Sequence, residues 1–303
     1  MSRPLAVGVQ LPEVERQVTW PEMRDMALAA EEVGFDAIWL GDHLLYRGPE
    51  GTKGPWEAWS MLAALAAVTD RVQLGPLVAS TSFHAPAMLA KKAATVDEIS
   101  GGRLILGLGA GWSEDEYEAF GFPYDHRVDR FAEAFTIIRT LLREGAIDFE
   151  GEYYTVRDCE LAPPPRAGGP PLMVGSTGPR MLGITLPHVD LWNVWHAWHG
   201  NTPEGFAAMN ADIDEACRRV GRDPVEVQRT TAVYWQFPGG SGREQANPDR
   251  DSAPPQVGDP DELADALRAY ADAGADQVQM VLDPITIDSI EAAGAALTTL
   301  DAD

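Results

Sequence analysis

Two ionisable side chains stand back to back in "WLGDHLLYRGP" (39–49), Asp42 and His43, where the apolar run "FDAIWLG" ends. Such a pair could transfer a proton, bind a metal, or cap a turn. Imidazole titrates near neutral pH, so His43 can give or take a proton under working conditions. Three other stretches carry possible chemistry. In "GLGAGW" (107–112), Gly107, Gly109 and Gly111 would let a ligand reach the backbone, or would allow tight packing at a corner. Their G-x-G-x-G spacing is not the dinucleotide fingerprint. In "GSTGPR" (175–180), backbone N–H groups at a Gly-flanked turn entering a helix suit a phosphate, with Arg180 beside them. The alternative there is a helix capped by Ser176 or Thr177. In "WHAWHG" (195–200), His196 and His199 alternate with tryptophans. No third ligand stands at metal spacing, so no metal site is expected. An aromatic wall over a planar ligand, or plain core packing, are the two readings.

These residues must be held by regular elements. Short apolar runs alternate with amphipathic ones along most of the chain. The strands expected are 5–11, 35–41, 71–80, 103–111, 172–176, 189–195, 229–237 and 275–282. Helices are expected at 21–34, 57–70, 86–102, 178–187, 203–221, 261–274 and 288–300, with a short and a long helix inside 114–145. Strands joined by crossover helices must run parallel. Eight such units predict a (β/α)8 TIM barrel in one domain spanning 1–303, with an open doubly wound sheet as the rival. Outside the repeat, 148–156 reads as a β-hairpin within an insertion and connector of about 146–171, and 238–260 as a long polar loop that does not pack. In a barrel, chemistry gathers at the C-terminal ends of the strands, which is where all four stretches fall.

Composition narrows the function. The chain has 23 Lys and Arg against 47 Asp and Glu, a formal charge of -24. Such a surface repels nucleic acid and anionic lipid, so neither is expected as a partner. It also means that an anionic ligand needs local donors. No apolar run is long enough for a transmembrane helix and no leader peptide is expected. Cys159 and Cys217 match no zinc or redox spacing and read as free, buried thiols in a reducing cytoplasm.

Three segments carry a resemblance: "AAEEVGFDAIWLGDHLL" (29–45), "PAMLAKKAATVDEISGGRLILGLGAGWSEDEYEAFGFPYDHRVDRFAEAFTIIRTLL" (86–142) and "PLMVGSTGPRMLGITLPHVDLWN" (171–193). Together they resemble the bacterial luciferase-like monooxygenase superfamily, and within it the oxidoreductases that use coenzyme F420. The resemblance implies a TIM barrel with insertions, a small-molecule substrate and a homodimer. It implies that Asp42 lies beside the cofactor ring and that His43 is the catalytic acid/base. It places a non-prolyl cis peptide at Leu77-Val78, with Val78, Ala79 and Ser80 backing the ring. Gly109, Ala110 and Gly111 would let the ring and its ribityl chain pass. Gly175, Ser176, Thr177, Gly178, Pro179 and Arg180 would hold the phosphate. Tyr46, Trp112, Trp192 and Trp195 would line the substrate pocket. One departure matters: where the sugar-phosphate dehydrogenase branch has a catalytic Glu, this chain has Trp112, so no sugar phosphate is assigned. Glu114 and Glu116 nearby are expected only to start the next helix. An FMN-dependent monooxygenase fed by a partner reductase is the alternative on the same scaffold. The anionic tail of F420 would call on Arg47, Lys53, Arg180, Arg243 and Arg250. A non-catalytic flavin-binding protein is the reading of another class.

Overall fold

The computed structural model describes residues 3–48, 51–242 and 253–302. Its parallel strands are β1 (Ala6–Gln10), β2 (Ala37–Leu40), β5 (Gln73–Pro76), β6 (Ala79–Ser80), β7 (Leu106–Gly109), β10 (Leu172–Gly175), β11 (Leu191–Val194), β12 (Gln228–Gln236) and β14 (Gln277–Asp283). They pair in the order β5-β2-β1-β14-β12-β11-β10-β7-β6. Nine strands make an eight-stranded barrel because the third one expected from sequence is split. Its first half, β5, pairs with β2; its second half, β6, crosses to pair with β7. A parallel bridge between Leu74 and Leu104 closes the ring. The break falls at Leu77-Val78, whose peptide bond is cis, at the position the resemblance implied.

The helices pack outside as amphipathic staves. They are α1 (Trp20–Glu32), α2 (Ala58–Ala66), α3 (Pro86–Ser100), α4 (Glu114–Phe120), α5 (Arg127–Glu144), α6 (Pro179–Thr185), α7 (Pro203–Arg219), α8 (Pro260–Asp272) and α9 (Ile287–Asp301). Their ends follow local chemistry. Pro21 sits in the first turn of α1, Asp259 and Glu262 form a capping box on α8, and Gly145 takes a left-handed φ of 85° after α5. Met23, Met26, Ala27 and Ala30 of α1 recur at helical spacing and are all buried. Each large apolar side chain buried this way contributes roughly 1.5–3 kcal/mol. Phe131 of α5 is fully buried, and Phe131→Ala would cost about 3–5 kcal/mol.

Two antiparallel hairpins stand apart from the barrel. β8 (Ala146–Glu150) and β9 (Thr155–Glu160) form the expected one, longer than read from sequence. β3 (Tyr46–Gly48) and β4 (Gly51–Lys53) form an unexpected one in the loop after β2. Part of the polar loop also packs, against expectation: β13 (Gln256–Val257) adds to β12, and Gln256 donates to the Asn201 carbonyl at 2.7 Å. A Pro/Gly-rich stretch can still pair where a neighbouring strand end offers free backbone groups. Cys217 is buried as expected, but Cys159 is only half-buried, since its strand β9 lies on the outer hairpin. No helix among the described residues is long and apolar enough to cross a membrane.

Candidate active site

The C-terminal ends of the strands surround a cavity of about 370 Å³, within the size range of small-molecule sites. Of the residues singled out from sequence, Asp42, His43, Tyr46, Val78, Ala79, Ser80, Gly109, Ala110, Gly111, Trp112, Gly175, Ser176, Thr177, Trp195 and His196 line it. Gly178, Pro179, Arg180 and Trp192 do not.

Trp192 is a correction to the expected substrate pocket. Strand side chains alternate faces. On β11, Leu191 packs inside the barrel and Asn193 lines the cavity, so Trp192 between them points out into the helix layer. There it is fully buried, stacks on Phe206 with centroids 6.4 Å apart, and donates Nε1–H to the Ser176 carbonyl at 2.7 Å. Trp192 thus holds the loop carrying Ser176 and does not line the cavity. Trp198, another tryptophan of the "WHAWHG" stretch read as a possible aromatic wall, lines the cavity and is 53% exposed. Arg180 turns away to pair with Asp129 of α5. Arg47 and Lys53 lie on the β3–β4 hairpin, and Arg243 and Arg250 fall outside the described residues. No Lys or Arg among the described residues lines the cavity.

The strand-four glycines have protein neighbours. A Cβ on Gly107 would stand 2.9 Å from a Val78 methyl, and one on Gly109 2.8 Å from the other. On the adjacent strand β10, a Cβ on Gly175 would meet Val78 at 3.0 Å. Three glycines from β7 and β10 therefore make the seat for the Val78 side chain, which projects where the third strand breaks. Gly111 has φ 75°, and a Cβ there would overlap the Tyr117 hydroxyl and Ser80 Oγ. Of the two readings of these glycines, packing accounts for their geometry here.

The Asp42–His43 pair splits into two environments. Asp42 is buried, and its Oδ2 accepts from Ser80 N–H and His84 Nε2, each at 2.9 Å. Asp42 therefore ties the β2 loop to β6. His43 is 19% exposed and sits between two acids. Its Nδ1 lies 2.9 Å from Glu116 Oε2, and its Nε2 lies 3.8 Å from Glu13 Oε1. Glu13 also accepts from Gln10 Nε2 at 2.5 Å and from the Tyr46 hydroxyl. Burial pushes the His43 imidazolium down, but Glu13, Glu116 and Asp42 outweigh it, and its pKa is raised above the ordinary value. Tyr46 packs 4.8 Å from the ring and Trp112 stands edge-on at 5.6 Å.

Glu13 and Glu116 are the residues sequence reasoning missed. Glu13 follows β1, so strand-end position alone could have flagged it. Glu116 lies among other acids of "SEDEYEAF", and nothing in its spacing separates it. Among the described residues no three or more His, Cys, Asp or Glu are arranged to hold a metal ion.

The cavity has the make-up of a site for a flat ring system. Leu77, Val78 and Ala79 form an apolar wall, and Ser80, Ser176, Thr177 and Asn193 bring hydroxyls and an amide to its edges. The model of luciferase-like monooxygenases matches residues 5–237 of this sequence. The chain belongs to that family. Its family relatives include the pyrimidine monooxygenase RutA of Caulobacter vibrioides, 31% identical over 209 residues, which cover 66% of this chain and 57% of the relative. Another is 5,10-methylenetetrahydromethanopterin reductase of Archaeoglobus fulgidus, 33% identical over 195 residues, 64% of this chain and 53% of the relative. The matches thus span just over half the length of these curated relatives. In fold, the luciferase-like barrel is similar to an F420-dependent secondary alcohol dehydrogenase solved with an F420-acetone adduct. That match has a TM-score of 0.82 and 19% identity, covering 98% of this chain and 99% of the other.

Proposed function

We propose that this luciferase-like protein is a deazaflavin-dependent oxidoreductase that binds coenzyme F420 in the cavity and exchanges hydride with a small organic substrate. The observation that carries the reading is His43: an imidazole set between Glu116 at 2.9 Å and Glu13 at 3.8 Å, lining a cavity that otherwise offers an apolar wall and a few hydroxyls. The 33% identical reductase and the similarity in fold to an F420-dependent dehydrogenase support it. When bound, the cofactor supplies the two-electron chemistry, and the protein supplies position, charge and proton.

Each residue has a task in this reading. Leu77, Val78 and Ala79 back the ring and exclude water from one face. Asp42, fixed by Ser80 and His84, presents a rigid edge beside it. Ser176, Thr177 and the backbone of Gly175 and Gly178 receive the phosphate. Arg180 joins them by leaving Asp129, an exposed pair of the kind that contributes little. His43 delivers a proton to the substrate atom that gains negative charge on reduction, and removes it in the reverse direction. Trp112, Trp195 and Tyr46 contact the substrate.

A second reading, an FMN-dependent monooxygenase using oxygen and a partner reductase, is favoured by the 31% identical pyrimidine monooxygenase. A non-catalytic flavin-binding protein would make no use of His43. A homodimer in the cytoplasm belongs to the same proposal. The test is a titration of the purified protein with F420 and with FMN, followed by visible absorbance. Saturable F420 binding with weaker FMN binding is expected; tight FMN binding without affinity for F420 overturns the reading in favour of the second.

A further inference from the structure

We propose that Glu116 is a positioning residue whose buried carboxylate keeps the hydrogen of His43 on Nδ1, leaving Nε2 as the atom that exchanges protons in the cavity. The inference rests on His43 being the proton carrier and is independent of which cofactor binds.

Glu116 reaches the site from α4, 73 residues along the chain from His43. Its side chain is 1% exposed. Burying a carboxylate is costly unless its oxygens are satisfied. Here Oε1 accepts from Leu44 N–H at 2.6 Å and Leu45 N–H at 3.4 Å, and Oε2 faces His43 Nδ1 at 2.9 Å. One carboxylate therefore fixes both the backbone that follows the histidine and the ring itself. A carboxylate can only accept, so Nδ1 carries a hydrogen in either charge state of the imidazole. Nε2 is the nitrogen whose hydrogen comes and goes. It lies 3.8 Å from Glu13 Oε1, beyond a direct hydrogen bond, and Glu13 is itself a lining residue of the cavity.

The titratable groups around the ring come from every neighbouring element. Glu13 follows β1, Asp42 adjoins on the same loop, Tyr46 lies on β3, and Glu116 lies on α4. Three are acids, and the nearest contact is with Glu116. Removing it strips the Leu44 and Leu45 N–H groups of their acceptor and frees the ring to present either nitrogen.

The experiment is a 15N NMR titration of the His43 imidazole in the cofactor-free protein, with the signal assigned by its loss in His43→Gln. In the native protein the neutral form is expected to carry hydrogen on Nδ1. In Glu116→Gln the side-chain amide presents N–H toward Nδ1, so the neutral form should shift to Nε2–H and proton affinity should fall about tenfold or more. Glu118→Gln, at an exposed position of α4, is expected to leave both unchanged. A Glu116→Gln protein with the native tautomer and titration overturns the proposal, as does an equal shift in Glu118→Gln. If Glu116→Gln does not fold, the native tautomer decides alone, and an Nε2–H neutral form overturns it. Because no cofactor is present, failure of the F420 reading leaves this result untouched.

Discussion

His43 and His199 are both largely enclosed by protein, both contact aromatic rings, and both follow barrel strands, yet their proton affinities move in opposite directions. His199 lies in a pocket of neutral partners: Thr231 Oγ1 at 2.8 Å, the Thr202 carbonyl at 3.2 Å, and the edges of Phe206 and Tyr270. Burial pushes its pKa down and nothing charged offsets that. His43 meets the same penalty, but Glu13, Glu116 and Asp42 reverse it. Burial alone thus does not tell a structural histidine from a proton carrier. What separates them is whether acids have been buried alongside.

The largest effect should come from removing the proton carrier. His43→Gln is expected to lower kcat about 10²–10⁴-fold, with the fold retained. Native turnover in this variant would end the contrast. His199→Ala should do the reverse, leaving turnover near native. It strips Thr231 and the Thr202 carbonyl of a partner, so urea unfolding should show a loss of about 1–3 kcal/mol.

Stability against pH should sharpen the difference further. His43 binds its proton more tightly folded than unfolded, so its contribution is complete below about pH 6.5 and is lost as pH rises through its raised pKa. His199 binds its proton less tightly when folded, so its contribution is complete above about pH 6.5 and is lost as pH falls. Unfolding free energies of His43→Gln and His199→Ala relative to native, measured from about pH 5 to pH 9, should therefore slope in opposite directions. Parallel slopes would remove the distinction. The smallest effect is expected from Tyr46→Phe, which deprives Glu13 of a hydroxyl and leaves more of its charge to act on His43. The His43 titration should move slightly upward; a downward shift would mean that Glu13 does not act on the ring.

Much of the barrel was legible because its signal is periodic. Apolar runs of strand length between amphipathic stretches placed all eight units and put His43 at the strand ends. The β3–β4 hairpin was not legible, since three-residue strands beside Gly48 and Gly51 carry no alternation. The split of the third strand was hidden because both of its halves are apolar. Trp192 was misplaced for a related reason. Strands buried on both faces read as continuous apolar runs, so parity within "LWNVW" gives no hint of which Trp faces inward. Glu116 was out of reach for a different cause: its role depends on a contact between α4 and the β2 loop, and "SEDEYEAF" offers four acids of equal merit.

Val78 and the glycines at 107, 109 and 175 form one steric unit drawn from three strands. A methyl added at Gly109 or Gly175 meets the valine before anything else, so these two positions and Val78 are not independent heritable traits. Gly107 is held independently by the Pro76 carbonyl, which an added Cβ would overlap, but at Gly109 and Gly175 the valine is the obstacle, so a change there becomes tolerable after a smaller residue at 78, and the order of the steps matters. Saturation mutagenesis one position at a time would report Gly109 and Gly175 as invariant and miss the combinations with residue 78 that reshape this wall. A library that varies them jointly, starting from a smaller residue at 78, has an open route.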